Sequence, residues 1–238
     1  MTAVAGKESE SHGTSALSKL NIGVGWLGSS PRAPRQVLLH STRFPLRIAF
    51  MPTPSKRHRR NYNEPGHAHE LTFSCYHGFQ FLKAERICQW LAEAIEAART
   101  EWQFDLWAFV FMPEHAHLVI HPREHVYDIA DIRKAIKRPV ARRGIQFLEE
   151  KSPEWLPRIT RRRGDDTERL FWQSGGGYDR NITEPKTLRQ VIEYIHMNPV
   201  RRGLVERADQ WKWSSAAWFL GTGTSPLIPD RIPPEWVA

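Results

Sequence analysis

The stretch from 103 to 121 constrains the fold more than any other. Residues 103–112, Gln-Phe-Asp-Leu-Trp-Ala-Phe-Val-Phe-Met, are apolar but for Gln103 and Asp105. A run of this length without turn residues reads as a strand, and its lack of polar alternation predicts one covered on both faces. Met112-Pro113-Glu114 breaks it, and residues 115–121, His-Ala-His-Leu-Val-Ile-His, then alternate. The connection is too short for a crossover, so the two strands are expected to pair as an antiparallel hairpin. Alternation sends Ala116, Leu118 and Ile120 to a core face, and His115, His117 and His121 to the other.

Other elements arrange themselves around this hairpin. Residues 69–76 alternate Leu71, Phe73 and Cys75 with polar positions, which predicts a half-buried strand after the turn at Asn63-Glu64-Pro65-Gly66. Residues 82–99 carry Leu82, Ile87, Leu91, Ile95 and Ala98 at helical spacing. A second helix is expected over 127–138, with Ile129, Ile132, Ala135 and Ile136 inward, and Lys134, Lys137 and Arg138 outward; it runs up to Pro139 and either ends there or resumes beyond it. Residues 151–167 read as a polar, basic loop, and Arg169-Leu-Phe-Trp-Gln173 as another strand before Gly175-Gly176-Gly177. A third helix spans about 185–197 and stops at Asn198-Pro199. The first six elements follow the order βαββαβ, which predicts an α+β, ferredoxin-like sandwich with an antiparallel sheet, followed by a C-terminal helix.

The chain of 238 residues divides by composition into three parts. Residues 1–50 are rich in Ser, Gly and Ala without periodicity; they are expected to be a disordered leader, or an over-extended reading frame whose true start is Met51. Residues 51–221 form the domain, and 222–238 a proline-rich tail. Two cysteines, Cys75 and Cys88, make neither a disulfide framework nor a zinc pair, which suits a cytoplasmic protein. No apolar run is long enough to span a membrane. The formal net charge of +8 favours an anionic partner such as nucleic acid.

Two places hold candidate chemistry. His115 and His117 lie two apart on one strand face, where two imidazoles can grip one metal ion; an ordinary pair of strand histidines is the plainer alternative. His67-Ala68-His69 repeats the pattern beside a turn and is set aside. In the third helix Leu188, Val191, Ile192 and Ile195 form the apolar stripe. Tyr194 and Asn198 fall at its margin, four residues apart. There a phenol can reach a cleft and attack phosphorus beside a metal, and the Asn198 amide oxygen can serve as a hard ligand. Equally, the tyrosine can pack its ring and give its hydroxyl to water.

A resemblance favours the first of each pair. Met112-Pro-Glu-His115-Ala-His117-Leu-Val-Ile120 resembles the His–hydrophobic–His (HUH) motif of single-tyrosine transposases. Tyr194-Ile-His-Met-Asn198-Pro-Val-Arg-Arg-Gly-Leu-Val205 resembles the tyrosine helix of the REP-associated branch. Phe171-Trp172-Gln173 with Tyr178-Asp-Arg-Asn-Ile182, and Trp211-Lys-Trp-Ser-Ser215, resemble the segments on either side of that helix. The resemblance implies a ferredoxin-like fold, Mg²⁺ or Mn²⁺ held by His115, His117 and Asn198, and Tyr194 as nucleophile. The implied reaction cuts and rejoins single-stranded DNA near hairpins through a 5′-phosphotyrosine intermediate. Either a monomer or a homodimer is compatible with it.

Two basic clusters are candidate DNA contacts: the arm Lys56, Arg57, Arg59 and Arg60, and the helix group Lys134, Lys137, Arg138, Arg142 and Arg143. Trp172, Tyr178, Trp211 and Trp213 are candidates for base stacking, with core packing the stronger expectation for the tryptophans. The competing function is a catalytically silent hairpin-binding protein descended from a transposase.

Overall fold

The structure is a computed structural model, and residues 63–237 are described. The leader 1–50 and the arm Lys56, Arg57, Arg59 and Arg60 lie outside the described residues.

In chain order come β1 (Ala68–Ser74), α1 (Glu85–Glu101), β2 (Phe104–Met112), β3 (His115–Pro122) and α2 (Ile129–Lys151). They are followed by α3 (Leu156–Ile159), β4 (Thr160–Arg163), β5 (Asp166–Arg169), β6 (Tyr178–Ile182), α4 (Pro185–His196), α5 (Asn198–Arg201) and α6 (Ala216–Phe219). The main sheet has the order β2-β3-β1-β6, and every pairing in it is antiparallel. This is the ferredoxin-like βαββαβ sandwich.

Its two faces are covered by different helices. Leu71, Phe73, Phe109, Phe111, Leu118 and Ile120 pack against α1 and α2. Trp107, Ala108, Val110, Met112 and Val119 pack against Leu188, Val191, Ile192 and Ile195 of α4. The double burial of β2 follows from this, and a register shift between Leu106 and Ala108 lets both Trp107 and Ala108 join the α4 side.

The fourth strand of the sheet is not 169–173. It is β6, whose residues are mostly polar. An edge strand needs few apolar side chains, because only part of its surface is covered. The apolar run Leu170-Phe171-Trp172 is instead a plug: Phe171 stacks on Phe81, and Trp172 packs edge-on to Phe73 and donates to the Lys137 carbonyl. The basic segment expected as a loop contains the hairpin β4–β5, turning at Gly164, where φ is +57°. Helix α2 also runs past Pro139 to Lys151, because Ile136, Val140, Gly144 and Leu148 continue one buried stripe. That burial outweighs the backbone hydrogen bond that proline removes.

The proline-rich C-terminal segment lies along β2. Asp230 N–H donates to the Leu106 carbonyl at 2.7 Å, and its carboxylate accepts from Leu106 N–H at 2.8 Å. Leu227 is buried, and Trp236 packs against Trp107. Upstream, Trp213 and Ser215 exchange backbone hydrogen bonds with Phe111 and Phe109. The outer edge of β2 is thereby covered rather than left open to pairing. Among the described residues, no helix is long and apolar enough to cross a membrane.

Candidate active site

On the α4 face the sheet register lays side chains in rows. One row runs Tyr178, Thr72, His117, Val110; the next runs Arg180, Glu70, Val119, Ala108. Above them α4 presents Tyr194 and, one turn earlier, Gln190. Together Glu70, Thr72, His117, Tyr178, Arg180, Gln190, Val191 and Tyr194 line a cleft of about 510 Å³.

Four of the expected residues meet at one end of this cleft. His115 Nε2 and His117 Nε2 are 3.0 Å apart. The Asn198 amide lies 3.1 Å from His117 Nε2. The Tyr194 ring stands edge-on to His117 at 6.0 Å between centroids. Tyr194 is 49% exposed and lines the cleft. It is held from behind: the Arg201 guanidinium lies 4.0 Å over its ring and donates to its carbonyl at 2.8 Å.

The other ring nitrogen of each histidine is occupied. Thr72 Oγ1 meets His117 Nδ1 at 2.8 Å, and Glu114 Oε1 meets His115 Nδ1 at 3.0 Å. Glu114 also pairs with Arg202, which follows α5, so the histidine strand is tied to the end of the tyrosine segment. Oxygen or carboxylate partners on the far nitrogen are the usual way a metal-binding imidazole is oriented. Glu114 Oε2 is buried without a hydrogen-bond partner among the described residues.

The electrostatics agree with a cation site. Burial pushes His117 down to about 3, helped by the charges of His115 and Arg201. Burial also lowers His115, against the opposing pull of Glu114. Burial raises Glu114, but the hydrogen bonds and charges of Arg202 and His115 overcome it, and the net shift is downward. At neutral pH both imidazoles are therefore uncharged, and each carries one nitrogen lone pair, as a ligand must. Around an octahedral ion with ligands at about 2.1 Å, neighbouring donors lie about 3.0 Å apart, and the two Nε2 atoms match that edge. Turned about its last bond, the Asn198 amide presents an oxygen as third donor. Among the described residues no group of three or more His, Cys, Asp or Glu is placed to hold a metal, so a third protein donor beside His115 and His117 has to be another kind of group, such as the Asn198 amide.

The basic helix group is not part of this cleft. It lies on α2, across the sheet. Lys134, Lys137 and Arg138 line a separate cleft of about 560 Å³ with Arg133, Arg161, Arg169 and Trp172. Lys137, expected to point outward, is half-buried; burial and neighbouring Arg133 push it down to about 8. Arg142 is exposed, while Arg143 is bound to Glu93 at 2.6 Å and lies over Trp90. Trp172 and Trp213 are core residues, and Trp211 packs on the core with its indole donating to the Phe111 carbonyl. Tyr178 alone of the four aromatic candidates lines the tyrosine cleft. His69, set aside above, is buried between Asp179 and Tyr127 on the α2 side.

Sequence reasoning gave no role to Glu70, Thr72, Arg180 and Gln190. Alternation places Glu70 and Thr72 on the face opposite Leu71, but only the register reveals that this face continues that of His117.

No family model matches the chain. It is 25% identical over 140 residues to the REP-associated tyrosine transposase of Escherichia coli K12, covering 58% of this chain and 70% of that protein. It is 24% identical over 148 residues to a putative REP-associated tyrosine transposase of Haemophilus influenzae, covering 58% of this chain and 77% of that one. Among solved structures, a REP-associated tyrosine transposase bound to a REP hairpin shares its fold. That match has a TM-score of 0.53 at 22% identity and covers 73% of this chain and 92% of the other. The order of motifs, the sheet that carries them and these similarities agree: the chain is a homologue of the REP-associated tyrosine transposases.

Proposed function

We propose that this protein cuts and rejoins single-stranded DNA near hairpins, with Tyr194 as nucleophile. The observation that carries the reading is the convergence of His115, His117, Asn198 and Tyr194 at one end of an open cleft. Nothing in the packing of the fold requires two neutral imidazoles and an amide at van der Waals range beside an exposed phenol.

The Tyr194 phenol gives up its proton, and its oxygen attacks the phosphorus of a phosphodiester. A bond forms from that oxygen to phosphorus, and the bond from phosphorus to the 3′-oxygen breaks. The 3′-oxygen leaves and takes up a proton, while the 5′-phosphate stays on Tyr194. Attack by another 3′-hydroxyl reverses these changes and joins the new ends. Arg201 fixes the ring during both steps. A divalent ion, Mg²⁺ or Mn²⁺, held by His115, His117 and Asn198 supplies charge stabilisation at the phosphate when bound. Thr72 and Glu114 keep the two imidazoles in the tautomer and orientation that such binding needs. The cluster of Lys134, Lys137 and Arg138 across the sheet, with exposed Arg142, supplies phosphate contacts to the rest of the DNA.

A labelled hairpin from DNA beside the gene, with single-stranded flanks, tests this. The wild type with Mg²⁺ or Mn²⁺ should yield cut DNA, and Tyr194→Phe none. DNA that is bound by both proteins and cut by neither would favour a hairpin-binding protein instead.

A further inference from the structure

At the end of the cleft away from Asn198 sits a group the reaction does not use. Glu70 is 6% exposed and lines the cleft, yet among the described residues its carboxylate takes no hydrogen bond. Its one close charge is Arg180, directly opposite on β6, at 3.8 Å. The carboxylate oxygens keep contact with the open cleft, but the charge is partly desolvated there, which is costly. Burial accordingly pushes it above the usual carboxylate range, against the charge of Arg180. Apolar residues would fill the position more cheaply, as Val119 does beside it in the same row.

Glu70 lies one row from His117, about 7 Å along the strand. That is about the spacing between successive groups of an extended nucleotide chain whose scissile phosphate rests at Tyr194. Gln190, one helical turn from Tyr194, forms the opposite wall. A carboxylate offers two acceptors side by side, and the adjoining guanidinium offers donors. An unpaired guanine presents the complement on its Watson–Crick edge: N1–H and the N2 amine for Glu70, and O6 for Arg180. Cytosine and adenine bring one amine to the carboxylate, and thymine brings none.

We propose that Glu70, with Arg180, reads a guanine in the nucleotide that flanks the scissile phosphate, making this end of the cleft a base-recognition subsite. The inference rests on the reading that DNA occupies the Tyr194 cleft.

The test uses the full chain with Tyr194→Phe, which holds DNA without cutting. It is mixed with a randomised single-stranded DNA pool, and the retained strands are sequenced. One position should be enriched in guanine about tenfold over other bases, and Tyr194→Phe/Glu70→Gln should lose that enrichment. Inosine, which lacks the N2 amine, placed at the selected position should weaken binding to Tyr194→Phe several-fold. This arm needs no change at Glu70 and so stands even if Glu70→Gln folds poorly. Enrichment of another base, enrichment unaffected by Glu70→Gln, inosine binding as well as guanine, or no DNA retained would each overturn the proposal. Cleavage by the wild type without guanine selection would sink this inference alone. Guanine selection without cleavage would sink the proposed chemistry and leave the subsite standing.

Discussion

Gly177 joins the glycine-rich loop to β6, and its replacement by alanine probes how tightly the site's frame is built. Its φ is +69°, in the left-handed region. A Cβ added there would lie 2.2 Å from the Thr72 carbonyl oxygen, where real Cβ atoms stay beyond 3.0 Å. The obstructing atom is backbone of β1, so no side chain can swing aside; the two strands must part by about 1 Å. The left-handed conformation costs a non-glycine residue about 1–2 kcal/mol. The steric displacement adds about 1–3 kcal/mol, by analogy with overpacked cores. Gly177→Ala should therefore destabilise the protein by about 2–5 kcal/mol, read as a lower midpoint in urea at unchanged slope. Because the Thr72 hydroxyl holds His117, surviving folded protein should also bind Mn²⁺ more weakly. A midpoint shift worth less than about 0.5 kcal/mol, within the scatter of ordinary surface substitutions, would refute the reasoning.

Thr72→Val keeps the shape of the side chain but removes the partner of His117 Nδ1; Mn²⁺ affinity by calorimetry should fall about 10–100-fold, and unchanged affinity would contradict the positioning role. His196 is buried with Nε2 2.7 Å from Ser215 Oγ, and burial pushes it from 6.5 down to about 4. The unfolded chain thus binds its proton first, so its contribution is complete above about pH 6.5 and is lost as pH falls towards 4. That loss is roughly 3 kcal/mol. His196→Gln should flatten the fall in melting temperature between pH 7 and 4.5, and an equal fall in both proteins would be the contrary result. Lys134→Ala/Arg138→Ala should reduce the slope of log affinity against log salt by about 1.4 for single-stranded DNA if each meets one phosphate. A slope equal to that of the wild type would place the DNA elsewhere.

The sequence disclosed elements whose signal is periodic. Helix α1, the hairpin of β2 and β3, and the tyrosine helix all follow from where apolar residues recur. It failed where tertiary burial decided. Leu170-Phe171-Trp172 has the composition of a strand, but its side chains fill the gap beneath α2, where Gly144 makes room: a Cβ there would come within 2.4 Å of Phe171. Tyr178–Ile182 is too polar to look like a strand, and it pairs because β1 offers an open edge. In the glycine triplet before it, Gly177 is required by its close approach to Thr72. For the site, local spacing nominated His115, His117, Tyr194 and Asn198 but left plainer readings open, and the resemblance to single-tyrosine transposases favoured them. Glu70 and Thr72 belong to it only through the register between β1 and β3, which no local pattern encodes.

The central claim is a covalent bond from Tyr194 to DNA. The wild type would be incubated with its hairpin substrate and Mn²⁺, treated with nuclease, digested with protease and analysed by mass spectrometry. The peptide containing Tyr194 should carry the mass of a 5′-linked nucleotide, absent without metal and absent in His117→Ala. DNA cut efficiently while that peptide remains unmodified, or a nucleotide found on another residue, would contradict the account.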